Sequence, residues 1–243
     1  FGRYAPGGGP LGGSVGQLAP GAGTGHAAVE SALIAKAHRS GVKALAMLGG
    51  GGDGEGFAAS TAPSVRSSFI ANILDMCVSK DYDGVDVDWE EGLDTAARRD
   101  QLVSFLTDLR AAAGARPRYR APNAPFVITF PGFAVNVNTD LPVPAWKVTV
   151  ASLVDQYNLM TYGQNFDAPG WQTWFFSALK GAGASHPTSV ESSIRAYVDA
   201  GVPRGKLGMG IGLYASYYYP PVTGPRQVHT GGGGFDDNFD HYA

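Results

Sequence analysis

Apolar residues recur along this chain at two spacings that take turns. Over residues 26–38, Val29, Leu33, Ile34 and Ala37 follow a helical period, and Gly41 closes the segment. Residues 42–48 are a short apolar run with Lys43 near its start; it predicts a strand ending in the glycines of 49–52. The helical period returns over 64–80, with Phe69, Ile70, Ile73, Leu74 and Cys77 expected to face inward. Strict alternation over 82–90 predicts a second strand. A helix is expected over 95–113, with Leu102, Phe105, Leu106 and Leu109 on one face, and strands over 126–130 and 153–162. Residues 189–200 predict a helix through Val190, Ile194, Tyr197 and Val198, capped by Gly201, and residues 206–214 predict a further strand.

Strands alternating with helices imply a parallel sheet and an α/β fold. A (β/α)8 TIM barrel and a doubly wound open sheet both satisfy that order. Five strands are legible, fewer than a full barrel needs. Residues 1–25 hold ten glycines together with Pro6, Pro10 and Pro20 and read as loop. Nothing after Tyr219 reads as a strand. Taken as a barrel, the chain is therefore expected to be incomplete, beginning near the end of a second strand and stopping before the eighth.

Composition narrows the function. The 243 residues suffice for one large domain, expected over 1–243. A net charge of -3 without any basic run argues against nucleic acid as a partner. No apolar run reaches the length of a membrane span and no signal peptide opens the chain; a mature or trimmed secreted protein has the same appearance. Cys77 is alone, which excludes an internal disulfide, and its apolar surroundings predict a buried, inert thiol. The five His residues are scattered without metal-ligand spacing, so no metal or cofactor is expected. Residues 49–56, with Asp53 and Glu55, resemble a phosphate loop only superficially, since the Gly-Lys-Ser/Thr ending is missing. Close backbone approach at a strand end is the expected use of those glycines.

The chemistry concentrates in Tyr82-Asp83-Gly84-Val85-Asp86-Val87-Asp88-Trp89-Glu90. Side chains of a strand alternate faces, which puts Val85, Val87 and Trp89 on one side and Asp86, Asp88 and Glu90 on the other. Successive acids then lie roughly 7 Å apart at the backbone. Three carboxylates in one row repel, so at least one is expected to hold a proton at neutral pH, as a general acid must. A calcium loop would need irregular, turn-borne ligands instead. Trp89 reads as core. Asp83 has the wrong parity for the row and reads as a structural hydrogen-bonding group beside Gly84; Glu91 reads as peripheral.

Asp83-Gly84-x-Asp86-x-Asp88-x-Glu90 resembles the signature of glycoside hydrolase family 18, the chitinase family. Lys43-Ala-Leu45-Ala-Met-Leu-Gly49-Gly50 resembles its third-strand segment, and Tyr157-Asn158-Leu159-Met160-Thr161-Tyr162 its sixth. Gly201-Val202-Pro203-x-x-Lys206-Leu207-x-x-Gly210-Ile211 is similar to the approach to its seventh strand, which leaves 215–243 as a loop beyond it. Three positions depart from the pattern. Gly163 stands where the family usually has Asp, Met47 where it has Ser, and Ala215 and Ser216 where an Arg often follows the seventh-strand Tyr.

The resemblance implies a barrel-borne chitinase that is secreted, monomeric and free of cofactors. It implies retaining hydrolysis of β-1,4 bonds between N-acetylglucosamine units, with the substrate's own acetamido group as nucleophile. Glu90 would protonate the leaving oxygen. Asp88 would hold the acetamido N–H, Asp86 would share a proton with Asp88, and Tyr162 would donate its hydroxyl to the acetamido oxygen. Gly49, Gly50, Met160, Phe133, Tyr214, Trp171 and Trp174 are the expected substrate contacts, with Phe175 and the tyrosines of 217–219 as further platforms. No second carboxylate is offered by 206–214, and Asp155 lies near the start of its strand, the wrong end for barrel catalysis. Two other readings share these residues: an endo-β-N-acetylglucosaminidase acting on N-glycans, and a chitinase-like lectin of little or no activity.

Overall fold

A computed structural model describes residues 2–10, 13–20, 27–122, 124–135, 142–164, 173–181, 188–218, 220, 222–227 and 239–242. The chain forms two compact units, Phe1–Pro131 with Ser152–Asp155, and Gly132–Ala151 with Gln156–Ala243.

In the first unit the strands are β1 (Arg3–Pro6), β2 (Leu18–Pro20), β3 (Leu45–Gly49), β4 (Gly84–Asp88) and the first part of β5 (Val127–Phe133). The helices are α1 (Ala27–Arg39), α2 (Gly54–Ser60), α3 (Arg66–Lys80) and α4 (Ala96–Ala115). Strands β1, β3, β4 and β5 are parallel and neighbour one another in chain order, while β2 turns back antiparallel on β1. A doubly wound sheet reverses its strand order at a switch point; steady addition in one direction is the winding of a barrel. The inward faces expected of α3 and α4 are the buried ones: Phe69, Ile70, Ile73, Leu74 and Cys77 on the first, Leu102, Phe105, Leu106 and Leu109 on the second. Asp81, just past α3, accepts the left-handed conformation that ends the helix, and the Thr95 hydroxyl caps α4 by accepting from Arg98 N. Burial pushes the Cys77 thiol up to about 12, which keeps it an uncharged core group.

In the second unit most of α5 (Ala145–Leu153) precedes β6 (Gln156–Met160), α6 (Val190–Asp199) and β7 (Leu207–Met209). Strands β6 and β7 are parallel. Tyr157 and Leu159 of β6 are fully buried, and the Tyr157 ring packs on Tyr197 of α6 at 5.4 Å. Ser189 starts α6 with a reciprocal capping box to Ser192. Strands β8 (Ala215–Tyr218) and β9 (Phe239–Tyr242) pair antiparallel.

Four expectations are corrected here. The glycine-rich stretch 1–25 holds β1 and β2, because Tyr4, Ala5 and Pro6 bury even in so short a run. Residues 215–243 are not all loop, since β8 and β9 pair there. Helices α2 and α5 lie where no helix was expected. The strand expected over 206–214 is ordered only at Leu207–Met209, after a turn of 3-10 helix at Arg204–Lys206.

Candidate active site

The acidic row sits at the C-terminal end of β4. Val85, Val87 and Trp89 are fully buried, whereas Asp86, Asp88 and Glu90 are only partly so. The strand ends at Asp88, so Glu90 lies two residues beyond it rather than being its last residue. The cause is the neighbour. Gly49 pairs with Asp88 and then takes φ 76°, Gly50 takes φ 131°, and the ladder partner departs after Gly50 N donates to the Asp88 carbonyl. Trp89 nevertheless holds the alternation. Its ring stacks on Phe57 at 5.0 Å, and its indole N–H donates to the Glu91 carbonyl.

Gly49 and Gly50 serve the protein's own packing. A side chain at Gly49 would collide with the Phe57 ring at 2.2 Å, and one at Gly50 would press on the Arg3 guanidinium at 3.0 Å. Gly51, the next residue, would bring a Cβ to 3.7 Å from Glu90 Oε1. Gly84 lets β4 approach β5, since a Cβ there would fall 1.9 Å from the Val127 carbonyl oxygen. Asp83 ties the N-terminal end of β4: its Oδ2 accepts from Ala44 N at 2.8 Å and lies 2.9 Å from His38 Nε2.

Two charged neighbours escaped sequence reasoning. Arg3, on β1, donates to the Gly49 carbonyl at 2.8 Å and to buried Asp53 at 2.9 Å. Its positive charge favours the ionised forms of Asp88 and Glu90. Glu91 is not peripheral. It accepts from Gly52 N at 2.6 Å and from Gly54 N at 3.3 Å, clamping the glycine loop at the start of α2, and its charge raises Glu90. A lone Arg in a glycine-rich leader carries no local signal of either contact.

All three row carboxyls are raised. Burial is the first cause for each. For Asp88 the negative charges of Glu90 and Asp86 add to it, and the carboxyl is pushed up to about 8. Asp88 and Glu90 therefore titrate as one pair, both raised and drawn to hold a proton between them. Thr129 Oγ1 donates to Asp86 Oδ1 and opposes the effect of burial there. Asp88 Oδ1 is buried with no hydrogen-bond partner among the described residues.

The row has a cost that depends on pH. An Asp88 raised from 3.8 to about 8 binds its proton more tightly folded than unfolded. Its contribution to stability is complete below pH 3.8 and disappears as pH rises through about 8. Asp88→Asn cannot ionise. It should be more stable than wild type at pH 8 by at least about 1 kcal/mol, the worth of one pK unit, with the gap closing toward pH 4. Chemical denaturation of both proteins across that range checks it; a gap independent of pH would remove the raised carboxyl.

The second unit carries the remaining candidates. Tyr162 lies two residues past the end of β6; it, Asn158 and Met160 are half-buried while Tyr157, Leu159 and Thr161 are buried, so the expected parity is present. The Tyr162 ring meets Tyr214 edge-on at 6.1 Å, and Tyr214 meets Phe176 at 4.8 Å. Gly163 adopts φ 61° with open space at its Cβ position. Phe133 is partly exposed, with the Lys147 ammonium 5.6 Å from its ring centre. Trp174 is a correction. It is only 5% exposed and its indole N–H donates to the Thr188 carbonyl at 2.7 Å, so it packs the unit instead of offering a sugar platform, while adjacent Phe175 is exposed. Trp171 and Tyr219 lie outside the described residues. Asp155, in the first unit, is tied to Arg110 at 2.8 Å and accepts from Ile128 N, a structural use.

Comparison with known proteins decides the lineage. A family model described as Glycosyl hydrolases family 18 matches residues 26–228. The chain belongs to glycosyl hydrolase family 18. Among curated relatives, a class V chitinase of Arabidopsis thaliana is 30% identical over 207 residues, covering 75% of this chain and 50% of the relative. A chitinase-like effector of Moniliophthora roreri is 29% identical over 196 residues, covering 75% and 45%. The chain thus spans about half the length of these relatives. A solved class V chitinase of Nicotiana tobaccum, in complex with NAG4, superposes with a TM-score of 0.71 at 22% identity, over 100% of this chain and 68% of that one. A chitinase of Cycas revoluta in complex with (GlcNAc)4 gives 0.73 at 20% identity, over 98% and 68%. These likenesses place this family 18 chain in the TIM-barrel fold. Among its described residues no helix is long and apolar enough to cross a membrane.

Proposed function

We propose that this family 18 chain hydrolyses β-1,4 bonds of chitin by retaining, substrate-assisted catalysis. The observation that carries the reading is Asp88 Oδ1, a buried acceptor left without a donor immediately beside Glu90. An unsatisfied buried acceptor costs about 1–3 kcal/mol, which an incoming amide N–H would recover. The acetamido group of N-acetylglucosamine supplies one. Asp88 orients that group so that its carbonyl oxygen attacks C1, and Glu90 protonates the departing oxygen as the bond breaks. Asp86 holds the proton balance of the row. Water, deprotonated by Glu90, then opens the oxazolinium ring with retained configuration. An intramolecular nucleophile also removes the need for a second catalytic carboxylate, in keeping with Asp155 being spent on Arg110. The resemblance adds the Tyr162 hydroxyl as donor to the acetamido oxygen. Chitin oligomers as ligands are supported by the GlcNAc oligosaccharides bound in solved relatives.

Sugar binding without turnover is the second reading, favoured by a relative named a chitinase-like effector. Products released from chitin hexamer and from an N-glycosylated protein separate the possibilities. Shorter oligomers born as the β anomer are expected from the hexamer alone. Inverted product overturns the mechanism, product from the glycoprotein alone overturns the substrate, and tight binding without product favours the second reading.

A further inference from the structure

The ladder partners across the first sheet place Arg3, Met47, Asp86 and Thr129 side by side on four neighbouring strands. Partners in a parallel sheet share a face, so all four belong to the face of the acidic row. Asp86 is thereby flanked by Met47 and Thr129. Met47 has a thioether and no O–H to give. Thr129 is 4% exposed and donates its hydroxyl to Asp86 Oδ1. Among the described residues no other donor reaches that carboxyl.

We infer that Thr129 is a positioning residue for the acidic row, its hydroxyl fixing the Asp86 carboxyl and holding negative charge there so that the row's proton stays with Asp88 and Glu90. A hydroxyl given to a carboxylate stabilises the ionised form, and a buried carboxylate stripped of its donor captures a proton instead. The charged groups around the row are Asp88 on the same strand, Glu90 just beyond it and Arg3 on β1, with Glu91 acting on Glu90. Arg3 is already committed to Gly49 and Asp53 and acts on Asp88 and Glu90, so it does not replace a lost hydroxyl at Asp86. Without Thr129 the proton moves up the row toward Asp86, away from the group that must donate it.

The inference rests on the catalytic reading of the row, so its test needs one arm that works without turnover. Wild type, Thr129→Val and Thr129→Ser are compared by carbon-13 titration of the Asp86 carboxyl and by kinetics on chitin oligomers. Valine keeps the shape and removes the hydroxyl; serine keeps the hydroxyl and removes the methyl. Thr129→Val should titrate Asp86 at higher pH and lose about tenfold in kcat, with KM unchanged within about twofold. Thr129→Ser should restore both. An Asp86 titration identical in wild type and Thr129→Val overturns the inference, and so does a Ser variant as impaired as Val, which would make the methyl packing the cause. Should wild type prove inactive, the catalytic reading fails while the titration still decides for or against Thr129.

Discussion

Glu90→Gln should lower turnover of chitin oligomers by about 10³-fold while leaving their binding within a few-fold of wild type. General acid–base catalysis by one side chain is worth about 10² to 10⁴. Glutamine keeps the size and one carbonyl acceptor of Glu90 but has no proton to give. It sits past the end of β4, where the chain is held by Trp89 stacked on Phe57 and by Glu91 bonded to Gly52 N, so the change leaves the loop intact. Asp88 itself stays in place on β4 to receive the sugar's N–H. Kinetics together with calorimetric titration of an oligomer measure both effects. Retention of even a tenth of wild-type kcat would remove Glu90 from the role of acid, and a matching loss of binding would turn it into a ligand-holding group.

Gly84→Ala should destabilise the protein strongly, because the added methyl meets main chain on the neighbouring strand. The new carbon would sit 1.9 Å from the Val127 carbonyl oxygen and 2.7 Å from its carbon, and both are backbone. No rotamer relieves a collision between two main chains. Strand β4 must part from β5, breaking the ladder that aligns Asp86 with Thr129. Overpacking of flexible side chains costs about 1–3 kcal/mol, and a rigid backbone clash lies at or above the top of that range. For a chain of this size a fall in Tm of about 6–12 °C follows. Gly114→Ala is the matched control, because nothing lies within 4 Å of its Cβ position in α4 and alanine favours the helix. Thermal melts of the two variants should move in opposite directions; an unchanged melt for Gly84→Ala would mean that the strands are not in this register.

Local periodicity made much of this legible. Alternation from Val85 to Glu90 separated core from carboxylates because a strand has only two faces, and that split survives even where the ladder stops at Asp88. Helices α3 and α4 were readable from apolar spacing, a short-range signal. Strand β1 was not. Four residues between glycines and prolines have no period to detect, and only pairing with β3, some forty residues away, makes them a strand. Trp174 misled for a related reason. An aromatic near glycine and proline looks like an exposed platform until Thr188 supplies the carbonyl that buries its indole.

The order of residues alone determined the carboxyl row, its alternation against an apolar face, the central strands β3 and β4 with helices α3 and α4, and the family resemblance, because each depends on neighbours a few positions apart. The tertiary structure alone decided which groups govern the row: Arg3 from β1, Glu91 folded back on the glycine loop, Thr129 across the ladder, and the burial that leaves one Asp88 oxygen without a partner. Proton affinity is set by distance and dielectric, and both come into being only when strands far apart in sequence are laid side by side.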